Sequence, residues 1–144
     1  MLPVYQLTSG RRLSNLVIGA GARLGLVRGT SLLTVRGRRS GVDRTTPVTI
    51  IEEGGERWLV APYGTVSWVH NARAAGQVSL RRGRRRERLK VEEVGAAEAA
   101  PILQAYCKQV PIVRPYFEAS LGDPAQAFEA EAGRHPVFRL KETA

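Results

Sequence analysis

Two stretches of this chain carry residue types that could do chemistry. The first, Arg36-Gly-Arg-Arg-Ser-Gly-Val-Asp-Arg-Thr-Thr-Pro47, packs four arginines, three hydroxyls and two glycines between two apolar runs. Arg38, Arg39 and Arg44 offer guanidinium forks that match phosphate or carboxylate oxygens. Ser40, Thr45 and Thr46 add neutral donors, and Gly37 and Gly41 let backbone amides come close. In residue type this is an anion cradle, although a solvated basic hairpin tip has the same composition. It is not a phosphate-binding P-loop, because the Gly-Lys-Ser/Thr ending is missing and no helix follows.

The second stretch is Pro62-Tyr-Gly-Thr-Val-Ser-Trp-Val-His-Asn71. A tight Tyr-Gly turn running into a helix start exposes several amide donors together, and Tyr63 and Trp68 add flat apolar walls. Such a turn could hold one edge of a planar ring. The competing reading is a strand-to-helix connection with Trp68 in the core.

Covalent catalysis finds little support. There is no Gly-x-Ser-x-Gly turn, and no serine, cysteine and histidine set has a triad spacing. Cys107, beside Leu103 and Tyr106 on the inner side of a helix, reads as a buried structural thiol. His70 and His135 lie far apart and form no metal-ligand spacing, so no protein-held metal is expected. The carboxylates Glu52, Glu53, Glu92 and Glu93 sit at strand ends rather than in a catalytic pair. If the chain is an enzyme, a bound cofactor must carry the hard chemistry.

The elements that would position these stretches follow from periodicity. Leu13, Leu16, Val17, Ala20, Leu24 and Val27 recur with helical steps and predict an amphipathic helix stopped by Gly29. It could dock on the sheet or attach to anionic lipid. Ser31–Val35 and Thr45–Glu53 read as strands around the arginine loop, and Gly54-Gly55 turns the second back into Glu56–Ala61. Ser67 or Thr65 would cap a short helix through Ala75, ended by Gly76. Gln77–Leu80 and Arg88–Val94 flank Arg82-Gly83-Arg84 as another hairpin. Ala96–Gln109 is helical in composition, with Pro101 expected in or near its first turn. The segment 111–117 is too proline-interrupted for a long helix. Asp123 would cap a helix with Pro124 at its first position, running through Ala132, and His135–Leu140 would close the sheet. Strands paired locally, with helices set apart, predict a mainly antiparallel α+β domain.

The 144 residues suit one domain, and 22 Lys and Arg against 13 Asp and Glu give a net charge of +9, a field that attracts anions. The basic run Arg81–Lys90 lacks interleaved aromatics and a recognition helix, so it reads as the wet face of a hairpin rather than a nucleic-acid surface. A lone cysteine and the lack of a convincing secretory signal fit a cytoplasmic protein, membrane-associated if the N-terminal helix meets lipid.

Gly37-Arg-Arg-Ser-Gly41, then Arg44-Thr-Thr-Pro47, a hairpin, and Tyr63-Gly64 through Trp68 and Asn71 to Arg73 resemble the deazaflavin-dependent nitroreductases, also described as quinone reductases that use coenzyme F420. The likeness runs from about Leu32 to Val94 and more weakly to Leu140. It implies a split β-barrel of the kind that also binds flavin mononucleotide (FMN), with residues 1–30 as a leading helix, 31–94 as the barrel core and 95–144 as C-terminal helices and closing strand. It further implies that Arg38, Arg39 and Ser40, with Arg44, Thr45, Thr46, Pro47, Val48 and Thr49, grip the phosphate and acidic tail of F420. Pro62, Tyr63, Gly64, Thr65, Trp68, Val69, His70, Asn71 and Ala72 would line the deazaflavin. Tyr116 would be the donor on the acceptor side. The implied reaction is hydride transfer to an enone, quinone or nitro-aromatic; FMN or haem binding without turnover is the alternative. Many relatives carry a longer Gly-Gly-x-x-Lys-x-Pro-x-Trp segment where this chain has Gly64-Thr-Val-Ser-Trp68, a departure that falls on the ring side.

Overall fold

The computed structural model describes residues 30–143. The helix expected from Leu13, and with it the lipid contact, lies outside them. Six strands, β1 Thr30–Arg36, β2 Asp43–Glu53, β3 Glu56–Val60, β4 Gln77–Arg82, β5 Arg85–Glu93 and β6 Val137–Glu142, close an antiparallel barrel in the order β1-β2-β3-β6-β5-β4. Helix α1 (Ser67–Ala75) joins β3 to β4; α2 (Ala96–Gln109) and α3 (Ala125–Glu129) lie between β5 and β6. No helix among the described residues is long and apolar enough to cross a membrane.

Period-2 alternation divides the apolar residues into two cores. Leu33, Val35, Leu59, Val78, Leu80, Leu89, Phe138 and Leu140 fill the barrel, with Val69 and Ala72 of α1 against them. Ile51, Trp58, Val60 and Val137 face outward beneath Leu103, Tyr106, Cys107 and Phe128. β3 is therefore buried on both faces, which explains its unbroken Trp58-Leu59-Val60 run. Gly54 and Gly55 both have positive φ, 63° and 79°, as a two-residue hairpin turn requires.

Several helix ends depart from expectation. The residue before α1 is Val66, and neither Thr65 nor Ser67 caps it through a side chain. Gly76, left-handed at φ 74°, ends that helix as expected. Pro101 sits in the second turn of α2, beyond the first-turn position where its missing donor costs nothing. Pro124 occupies the cap position of α3 rather than its first turn, because the Asp123 carboxylate accepts from the Ser120 amide instead, at 2.8 Å. α3 stops at Glu129, short of Ala132, and 3-10 turns cover Pro111–Tyr116 and Ala132–Arg134.

One feature of the sheet shapes the site. β1 pairs with Asp43–Thr49 of β2, whereas β3 pairs only with Ile50–Glu53. The register sets Leu59 against Ile50, so the chain leaves β3 opposite Thr49. From there back to Asp43, the second edge of β2 has no strand partner among the described residues.

Candidate active site

At one end of that open edge stands the arginine loop. The Gly37 amide donates to Val42 O and the Gly41 amide to Gly37 O, both at 2.9 Å, and the Val42 amide donates to Ser40 Oγ at 3.1 Å. A Cβ on Gly37 would lie 2.8 Å from Val42 O and 2.9 Å from Ser40 Oγ, so only glycine lets the loop fold this tightly. The loop is also fastened to α1. Oδ1 of Asn71, a buried residue, accepts from the Arg38 amide at 3.1 Å and from Arg38 Nη1 at 2.8 Å.

Elsewhere on the barrel some charges are matched. Arg73 meets Glu93 in a two-pronged pair at 2.7 Å. Arg57 and Arg85 share Glu87. Arg139, 4.9 Å from the Trp58 ring, gathers Glu56, Glu92 and Glu98. Among the described residues no acid lies within ion-pair distance of Arg38, Arg39 or Arg44.

The run Arg44–Thr49 does not present all its side chains to one side. Thr45 Oγ1 bonds Thr34 Oγ1 at 2.8 Å on the outer face, whereas Val48 packs toward the barrel interior and Arg44 pairs with inward-facing Val35. Thr45, Pro47 and Thr49 thus share one face, and Arg44, Thr46 and Val48 the other. What the six residues present in common is the backbone of the open edge.

At the other end lies the Pro62–Thr65 turn. Gly64 has φ 99°, a conformation that favours glycine, and a Cβ there would approach Arg134 O at 3.6 Å. Among the described residues no backbone acceptor takes the amides of Thr65, Ser67 or Trp68, so the start of α1 keeps its donors. Trp68 is half-buried and tilts against Phe138 at 6.1 Å, which makes it partly a plug of the barrel. Val69 and Ala72 are wholly in the core and His70 is exposed. Of the residues expected along the ring, then, Tyr63, Gly64, Thr65 and the edge of Trp68 are brought together. Val69, Ala72 and Asn71 act from behind.

Three tyrosines converge on this end. Tyr63 and Tyr116 meet edge to face with centroids 4.7 Å apart. Tyr106 bonds the Thr49 side chain; burial first, then the neighbouring Tyr63 and Cys107, holds its phenol well above the ordinary range against the opposing effect of that bond, and it is protonated. Cys107, one residue on, is pushed up to about 12, chiefly by burial, so it offers no nucleophile. No group of three metal-ligating side chains occurs among the described residues.

Sequence reasoning passed over the buried pair Glu131 and His135. His135 Nδ1 lies 2.9 Å from Pro62 O and Nε2 3.0 Å from Glu131 Oε1. The Phe117 ring stacks on the imidazole at 3.9 Å. The Glu131 carboxylate also accepts from the amides of Glu118 and Ala119 at 3.1 and 2.8 Å. Burial draws the imidazole toward its neutral form, against the pull of Glu131 and the Pro62 carbonyl. The four-residue spacing of Glu131 and His135 was the available signal. Its effect is to join the Tyr63 turn to the segment carrying Tyr116.

A six-stranded antiparallel barrel closed at one end by a helix, with one long strand divided between two neighbours, is the architecture of the flavin-binding split β-barrels. The chain is similar to a solved F420-H2 dependent reductase (FDR-A), with 22% identity over 79% of this chain and 95% of that one and a TM-score of 0.55. It is similar also to a protein described as a domain-swapped dimer (21%, 92% and 96%, 0.56) and to an FAD-binding protein from Mesorhizobium loti (11%, 96% and 91%, 0.52). A comparison with curated proteins finds no match. Residues 8–117, well over half of the chain, match the F420H(2)-dependent quinone reductase family, and the chain belongs to it. It is a reductase that uses F420.

Proposed function

We propose that the chain holds reduced F420 along the open edge of β2 and passes its hydride to a small organic acceptor, a quinone in the first instance, with enones and nitro-aromatics as the same electron-poor class. The observation that carries this reading is the pairing of two unlike ends. Arg38, Arg39 and Arg44 have no acid within ion-pair distance at one, and free helix-start amides stand beside Tyr63 at the other. An elongated cofactor with a flat ring and an acidic tail needs both.

In this reading the guanidinium groups take the phosphate and tail carboxylates. The amides of Thr65, Ser67 and Trp68 bond the carbonyl side of the ring, and Tyr63 stands at its edge. When bound, F420 supplies the hydride. The protein contributes orientation, exclusion of water by the tyrosine cluster, and a phenol at Tyr116 that donates toward the acceptor oxygen as charge develops there.

The test is turnover. Reduced F420 mixed with the protein and a simple quinone should regain the absorbance of the oxidised cofactor, and Tyr116→Phe should lower kcat on the order of a hundredfold while cofactor affinity is kept. No turnover with quinone, enone or nitro-aromatic would contradict the reading.

A further inference from the structure

Glu131 is only 3% exposed and His135 only 4%, and the proposed hydride transfer uses neither. A carboxylate taken out of water costs free energy unless hydrogen bonds and neighbouring charge repay it. Here both oxygens are engaged. Oε1 accepts from the Glu118 amide at 3.1 Å and lies 3.0 Å from His135 Nε2, and Oε2 accepts from the Ala119 amide at 2.8 Å. Arg134, half-exposed at the rim, approaches only to 4.0 Å.

The place of those partners in the chain is what matters. Glu118 and Ala119 follow Tyr116 and Phe117 and belong to no helix or strand, so no regular ladder takes their amides. The Phe117 ring stacks on the imidazole at 3.9 Å. On its other side Nδ1 meets Pro62 O at 2.9 Å, one residue before Tyr63, and the next carbonyl, of Pro136, accepts from the Ala61 amide at 2.8 Å. Glu131 itself stands on a fixed base: its amide donates to Phe128 O at 3.2 Å, and its carbonyl accepts from the Arg134 amide at 3.0 Å. Tyr63 and Tyr116, whose ring centroids lie 4.7 Å apart, are thus each within two residues of a group bonded to this carboxylate or to its histidine.

We propose that Glu131 is a positioning residue for the acceptor step: through the amides of Glu118 and Ala119, and through His135, its carboxylate holds the Tyr116 phenol at the spacing from Tyr63 that the acceptor needs. A carboxylate suits this task better than an apolar side chain. It accepts from several donors at once and fixes their directions, whereas apolar contact is non-directional and lets the two segments slide. The inference rests on the proposed function, since it takes Tyr116 as the donor toward the acceptor.

Glu131→Gln tests it, because the amide keeps the shape of the carboxyl group and surrenders its charge and one acceptor. In the protein without cofactor, the tyrosine ring-proton resonances, assigned through Tyr63→Phe and Tyr116→Phe, should move, since the edge-to-face contact sets their ring-current shifts. With reduced F420 and a quinone, kcat should fall about tenfold, while affinity for oxidised F420, followed by fluorescence quenching, is unchanged. Added to Tyr116→Phe, the same substitution should cost nothing further, because it acts through that phenol. Glu131→Asp, which draws the carboxylate back by one methylene, takes the same cycle with the same expected outcome if the Gln variant does not fold. Unmoved tyrosine resonances, an unchanged kcat, or losses that multiply in the double variant would overturn the inference and spare the functional reading. Failure of both variants to fold would also overturn it, by showing that the carboxylate holds the whole fold rather than the tyrosine pair. No turnover by the unaltered protein would overturn the functional reading and the inference with it.

Discussion

Nδ1 of His135 donates to the carbonyl of Pro62 at 2.9 Å, and this bond helps hold the turn bearing Tyr63 and Gly64 against the C-terminal segment. The carbonyl can only accept, so Nδ1 carries a proton, and Nε2 meets the Glu131 carboxylate at 3.0 Å. Because that carboxylate also takes the amides of Glu118 and Ala119, the network registers Tyr63 against Tyr116. His135→Ala takes one partner from the buried Glu131 carboxylate and removes the donor that meets the Pro62 carbonyl. It should destabilise the protein by about 2–4 kcal/mol in urea denaturation and loosen ring-side binding as well. A variant as stable as the parent would show that the pair is dispensable.

Asn71 was expected along the ring, and its Oδ1 instead receives both Arg38 bonds. Asn71→Ala should therefore weaken F420 affinity nearly as much as Arg38→Ala, by about 1–2 kcal/mol, and the double variant should be little worse than either single one. Fluorescence titration of the four proteins closes the cycle. Additive losses would mean that Asn71 touches the cofactor independently.

The thiol of Cys107 is raised to about 12, mainly by burial and further by the charge of Glu131. A thiol reagent such as Ellman's should leave the native protein unmodified and react fully in denaturant, with activity unchanged by prior exposure to the reagent. Rapid native labelling would place the residue nearer the surface than its packing against Leu103 and Tyr106 allows.

How far these arrangements were legible in the sequence depends on the range of the forces that set them. β-branched runs and Gly-Gly marked most strand ends to within a residue or two, with β5 starting at Arg85 rather than Arg88, and α2 begins and ends where its composition says, at Ala96 and Gln109, because these are local effects. The tight turn of the arginine loop was legible for the same reason: Gly37 and Gly41 state a need for close backbone approach. Caps were less so. Asp123 found Ser120 rather than the helix start, a choice between near-equal local bonds that tertiary packing decides. Wholly hidden were the division of β2 between β1 and β3, which depends on register, and the reach of His135 across 73 positions to Pro62. The alternation along Arg44–Thr49 could have been seen in advance to divide that run between two faces.

The most direct test of the account is a fluorescence titration of oxidised F420 with the unaltered protein and with Arg38→Ala, Arg39→Ala and Arg44→Ala, run beside FMN. Saturable quenching by F420, weakened by about 1–3 kcal/mol in each variant and eased by added salt, is the expected result. Affinity unchanged in all three variants, or binding of FMN in place of F420, would contradict it.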